Sequence, residues 1–163
     1  MVEIRALTEA DFEAVAAVHV RSWQVGYAGI VPAEVLDALD PARLAARRRR
    51  QPTPPGAHTV VAEQHGTIVG FASFGPHRGE PSEAAGELYA IYVHPDHWGR
   101  GVGRLLMATA IEALAPDYPE MRLWVLEGNH HARSFSRLSQ FWWRVGGGCD
   151  TPGGLGVRDL GVR

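Results

Sequence analysis

Glu87-Leu88-Tyr89-Ala90-Ile91-Tyr92-Val93-His94-Pro95-Asp96-His97-Trp98-Gly99-Arg100-Gly101-Val102-Gly103-Arg104 decides the reading of this chain. Leu88 to Val93 reads as a short apolar strand, and His94 to His97 as a turn. Glycines then alternate at 99, 101 and 103, and a strongly helical segment runs from Gly101 to Leu114. Glycines so spaced let backbone N–H groups converge without a Cβ in the way. They stand where a helix begins, so unpaired N–H groups and the helix dipole face outward there. That combination suits a phosphate or pyrophosphate. Arg100 and Arg104 add charge beside it, each charge-assisted hydrogen bond contributing ~1.5–3 kcal/mol. On spacing alone, a tight turn that packs helix on strand fits as well. The dinucleotide fingerprint does not fit, because its second and third glycines are spaced one residue further apart.

Working outward, Val2 to Leu7 alternates as a strand, and Thr8 with Asp11 signals a helix start. Phe12, Val15, Ala16, His19 and Trp23 then recur at helical spacing until Gly26 and Gly29. Pro32 and Pro41 open two more helical stretches, to Leu39 and about Arg50. Thr59 to Glu63 and Thr67 to Phe74 read as strands joined through Gln64-His65-Gly66. Gly75 to Gly86 is polar and reads as a loop. Met121 to Leu126 is a strand, His130 to Ser139 a short helix, and the glycine-rich remainder holds one or two strands. This order of elements predicts one α/β domain over residues 1–163 with a mixed sheet.

Composition narrows the function classes. The 163 residues are 45% hydrophobic and 21% charged, with formal net charge −2, so nothing global points to nucleic acid or an anionic membrane. All 16 basic residues are arginines. A lysine Schiff base and a Walker-type phosphate loop are therefore excluded. The single cysteine, Cys149, cannot form an internal disulfide or half a thiolate zinc site. His94, His97, His130 and His131 lack a metal-binding arrangement, so no metal is expected. With no apolar run of membrane-spanning length and no signal-peptide pattern at Met1–Arg5, a cytoplasmic location is the expectation.

The run from Ile91 to Leu106 resembles the acyl-CoA-binding motif of the GNAT superfamily of N-acetyltransferases. Val93, Pro95, Gly101 and Gly103 match it, and Trp98 stands where the pattern has Gln or Arg. Asn129, Ala132 and Phe135 resemble the second family motif, Asn-x-x-Ala-x-x-Phe. The resemblance covers roughly residues 2 to 141. It implies a GNAT-like mixed, mostly antiparallel sheet with splayed central strands and flanking helices. It also implies acetyl-CoA as co-substrate, with its pantetheine added along the strand that ends at Val93. Backbone groups of Ile91 and Val93 would hold that arm, with Tyr92 also counted among the cofactor-binding residues. The loop of Trp98, Gly99, Arg100, Gly101, Val102, Gly103 and Arg104 would hold the diphosphate, and Asn129, Ala132 and Phe135 the far side.

Acetyl transfer by direct attack needs a base for the amine and a proton for the leaving thiolate, and no enzyme nucleophile. Glu87, at the start of the cofactor strand, is the candidate base, directly or through water; a solvated carboxylate is the competing reading. By strand alternation Glu87, Tyr89, Ile91 and Val93 share one face. Relatives often have Tyr where this chain has Ser136, so water, Ser136, Tyr89 or Tyr92 are the candidate proton donors. Trp23, Tyr27 and Trp124 are candidates for the acceptor pocket, with core packing the alternative for Trp23. Arg47 to Arg50 read as a solvated helix face. The expectation is an N-acetyltransferase for a primary amine of a small molecule or peptide, with a homodimer possible in this family. A non-catalytic acyl-CoA-binding module on the same fold is the alternative.

Overall fold

Local signals start each element. The computed structural model describes residues 1–79, 84–126, 143–146 and 157–162. Strand β1 (Val2–Ala6) leads through a short 3-10 turn into helix α1 (Phe12–Gly26). The Asp11 carboxylate fixes that entry, accepting from the Thr8 amide and hydroxyl, each at 2.8 Å, and from Arg5 at 2.8 and 2.9 Å. Helix α2 (Ala33–Asp37) follows Pro32. Helix α3 (Pro41–Arg50) is capped by Asp40, whose side chain accepts from the Ala42 amide at 2.8 Å. Strands β2 (His58–Gln64) and β3 (Thr67–Pro76) form a hairpin closed by His65 and Gly66, both at positive φ. Strand β4 (Gly86–Val93), a 3-10 turn over Pro95–His97 and helix α4 (Val102–Leu114) follow, then β5 (Met121–Leu126), β6 (Trp143–Gly146) and β7 (Val157–Val162). The helix expected at His130–Ser139 lies outside the described residues.

The sheet runs β1-β2-β3-β4-β5-β7-β6. Each neighbouring pair is antiparallel except β4 and β5, which are parallel. That parallel pairing covers only Gly86–Leu88 against Met121–Leu123. Beyond Leu88 the two strands part, as the expected fold requires.

The cause lies on the other edge of β4. Phe74 pairs with Leu88 and Ser73 with Ala90, so Tyr89 is an extra residue in a β-bulge. A bulge bends its strand and increases its twist. It also overturns the expected alternation. Leu88, Ile91 and Val93 pack with Leu106, Met107 and Ala110 of α4. Ala90 and Tyr92 pack with Val15 and Val18 of α1 on the opposite face. Glu87 precedes the bulge and lies opposite Leu88, so it does not share a face with Ile91 and Val93.

The bulge needs room, which Gly75 supplies. A Cβ at Gly75 would come within 2.7 Å of the Tyr89 hydroxyl, 2.8 Å of Ala57 Cα and 2.9 Å of the Gly56 carbonyl oxygen. Two of those three atoms are backbone and cannot rotate away. Gly75→Ala is therefore expected to destabilise the protein by about 1–3 kcal/mol, the usual range for overpacking. A melting temperature equal to that of the parent protein would contradict this placement of Tyr89.

Candidate active site

The opening between β4 and β5 exposes a strand edge. The His94 amide donates to the Val69 carbonyl at 2.8 Å, toward β3. Peptide groups alternate along an antiparallel strand, so those of Ile91 and Val93 turn the other way, into the opening. Tyr92 is turned from it twice: its peptide faces β3, and its ring stacks on His19 at 4.7 Å between centroids. The cofactor contact expected of Tyr92 is therefore not available in this arrangement. Val93 offers the opening its N–H. Its carbonyl already accepts from Ser22 Oγ at 2.9 Å and Trp98 Nε1 at 2.7 Å.

Those two bonds explain Trp98. A Cβ added at Gly26 would lie 3.7 Å from its indole ring, so the indole sits between the last turn of α1 and the end of β4. Trp98 thus braces the loop that follows it. In that loop Gly99 and Gly101 adopt φ of +73° and +84°, a region side-chain-bearing residues avoid, with open space where a Cβ would stand. The Leu105 amide donates to the Gly101 carbonyl at 3.2 Å. The amides of Val102, Gly103 and Arg104 precede it and have no carbonyl inside the helix. Arg100 and Arg104 are exposed beside them. Open space, outward amides and cationic flanks suit a diphosphate.

On the α1 face of the sheet, aromatic rings line the approach to the opening. His19, Trp23 and Tyr92 form one cluster, and Tyr27 meets Trp23 edge-on at 4.8 Å. Trp23 Nε1 is buried without a hydrogen-bond partner among the described residues. Burial, with the nearby Arg48 charge, moves the His19 imidazole from its ordinary 6.5 down to about 4. Burial also raises the Tyr92 phenol well above its usual range. The His19 imidazole and the Tyr92 phenol are therefore both uncharged at neutral pH. Trp124 follows Leu123, which faces the core, and so lies on the sheet's other face, half-buried. A groove of about 650 Å³ lies elsewhere, where Arg21, Gln24 and Leu36 face each other between α1 and α2.

Glu87 is not the open carboxylate expected from the sequence. It is 1% exposed. Its Oε1 accepts from Arg78 Nε at 3.1 Å and Nη2 at 2.5 Å. Its Oε2 accepts from the Arg78 amide at 2.9 Å and lies 3.1 Å from His77 Nδ1. Four contacts fill the four lone-pair positions of a carboxylate, so neither substrate nor water reaches Glu87 directly. Burial alone would raise its pKa, but the Arg78 hydrogen bonds and charge, with His77, hold it below the ordinary carboxylate value. Tyr89 is likewise engaged: its hydroxyl donates to the Pro76 carbonyl at 2.5 Å, and the Arg78 guanidinium lies 4.3 Å above its ring. Burial, then the Glu87 charge, raises its pKa, which makes it a weaker acid. Ser136, Asn129, Ala132 and Phe135 lie outside the described residues. Sequence reasoning missed Ser22, His77 and Arg78, none of which belongs to a periodic pattern or motif.

The His19 shift carries a pH consequence. Between pH 6.5 and about 4 the unfolded chain binds a proton that the folded chain does not. Stability is thus complete above that window and falls as pH drops through it. His19→Phe should flatten this part of the stability–pH curve in urea titrations; an unchanged slope would show that His19 titrates freely.

Residues 17–139 match the acetyltransferase (GNAT) family. The uncharacterized N-acetyltransferase YuaI of Bacillus subtilis is 33% identical over 98% of this chain and 95% of its own. The L-amino acid N-acyltransferase MnaT of Escherichia coli is 39% identical over a shorter stretch, 35% of this chain and 33% of its own. In fold, the chain is similar to the PaiA N-acetyltransferase of Thermoplasma acidophilum, solved in complex with coenzyme A. The TM-score is 0.75 at 23% identity, over 98% of both chains. With the splayed β4–β5 pair and the glycine loop at α4, these matches establish that the chain belongs to the GNAT acetyltransferase family.

Proposed function

We propose that this protein transfers an acetyl group from acetyl-CoA to the primary amine of a small molecule by direct attack. The observation that carries the reading is the continuity of two unfilled backbone surfaces. The outward amides of Val102–Arg104 and the open edge of β4 at Ile91 and Val93 lie at the two ends of one short segment. A diphosphate joined to an amide-bearing arm is complementary to both. When bound, acetyl-CoA supplies an acetyl group on a good leaving group.

The chain's own residues do the rest. Gly99, Arg100, Gly101, Val102, Gly103 and Arg104 hold the diphosphate, and Trp98 fixes their loop against α1. Ile91 and the Val93 amide align the arm, with Asn129, Ala132 and Phe135 assigned to its far side by the family motif. Trp23, Tyr27 and Trp124 border the acceptor approach and exclude water there. Glu87 works through its partner: it holds the Arg78 guanidinium in place at the start of the opening. As the N–C bond forms and the C–S bond breaks, the proton lost by the attacking nitrogen passes through water, or through Ser136, to the departing thiolate. A small-molecule acceptor is also supported by MnaT, a relative named for L-amino acids. No transmembrane helix is present among the described residues.

Acetyl-CoA should raise the melting temperature, because it binds the native state alone. At a hundredfold excess over Kd the stabilisation is ~2.7 kcal/mol. Gly101→Glu and Gly103→Glu should each abolish that shift. Thiol release with a panel of amines then separates the two readings of the fold. Sustained turnover establishes the transferase. A thermal shift without turnover would leave a binding module instead, and no shift at millimolar acetyl-CoA would remove both.

A further inference from the structure

We propose that Arg78 is a specificity-determining residue that receives the carboxylate of the acceptor, so that the amines acetylated are amino acids. This rests on the acetyl-transfer reading above and names its substrate class. A buried carboxylate with every lone pair engaged is fitted to hold something in place rather than to exchange protons. What it holds is Arg78: one edge of the guanidinium, Nε and Nη2, is bound to Glu87, as is the Arg78 amide.

The aromatic ring of Tyr89 forms the second support, 4.3 Å below the guanidinium. Tyr89 is itself anchored to the Pro76 carbonyl. The guanidinium is therefore fixed in plane by Glu87 and in height by Tyr89. Yet the Arg78 side chain is 61% exposed. Nη1 has no partner among the described residues, so the edge formed by Nη1 and the second Nη2 hydrogen is free to donate.

Two parallel donors on a rigid fork match a carboxylate. Part of the Arg78 charge is already balanced by Glu87, so a singly charged carboxylate fits better than a doubly charged phosphate. The place is also right. Arg78 lies over the bulge residue itself, at the rung where β4 leaves β5 and the opening begins. A carboxylate held there keeps an amino group a few bonds away close to the opening. An orientation set in advance costs the ligand little further ordering.

The experiment compares each of several L-amino acids with its decarboxylated amine, for example phenylalanine with phenethylamine and methionine with 3-(methylthio)propylamine. Acetyl-CoA is the donor and kcat/KM the readout. The parent protein should favour the acid at least tenfold in some pairs. Arg78→Gln should reduce that ratio at least tenfold, chiefly through KM, and Arg78→Lys should restore part of it. Arg78→Gln leaves a buried carboxylate unpaired, so the double variant with Glu87→Gln is measured alongside, and the acetyl-CoA thermal shift verifies that each is folded. Turnover with equal preference for acid and amine in every pair, or a ratio that Arg78→Gln leaves unchanged, would overturn this site alone. Absence of turnover with any amine would remove the acetyl-transfer reading, and this site with it.

Discussion

One extra residue in β4 organises the molecule. Backbone groups inside a sheet are normally paired on both sides, and an unpaired strand edge is confined to the rim. Here the bulge at Tyr89 bends β4 away from β5 after three rungs and opens an unpaired edge in the middle of a seven-stranded sheet. Such an edge requires a partner. Within the described residues only the Val93 carbonyl finds one, through Ser22 and Trp98. An extended amide-bearing ligand is the physical complement of the remainder.

The same residue inverts the strand's faces. Ahead of the bulge Glu87 points to one side; beyond it Ala90 and Tyr92 take that side, while Ile91 and Val93 join the α4 core. The two faces at the opening are therefore built from adjacent residues of a single strand. Gly75 is the condition for this, since only a residue without a Cβ lets the Tyr89 hydroxyl and the Ala57 backbone come so close.

Much of this was legible in the sequence, and the rest was hidden for identifiable reasons. Thr8 with Asp11, Pro41, and His65-Gly66 mark element ends through local chemistry, so those boundaries could be read. The glycines at 99 and 101 announce positive φ, and the structure has it at both. The bulge could not be read, because Leu88, Ala90, Ile91 and Val93 are all apolar and carry no alternation to be broken. Glu87 was legible as a residue of interest, but its saturation depends on Arg78 and His77, which sit in a polar stretch without periodicity. Ser22 was invisible for another reason: its partner, the Val93 carbonyl, is 71 residues away, and a small hydroxyl in a helix usually bonds within its own turn.

Electrostatics then divides the opening into two unlike regions. Toward the C-terminal end of β4 the wall is aromatic, and burial keeps His19 neutral and Tyr92 protonated. Toward its start lies Glu87, which stays ionised because the Arg78 hydrogen bonds and charge, with His77, outweigh its burial. Separating such a pair would strand a carboxylate with 1% exposure, so the charges remain together and the guanidinium stays where the carboxylate puts it. An aromatic wall thus stands at one end and a held cation at the other. Both regions trace to the bulge that opened the sheet, because that bulge placed Tyr89 beneath Arg78 and Tyr92 against α1.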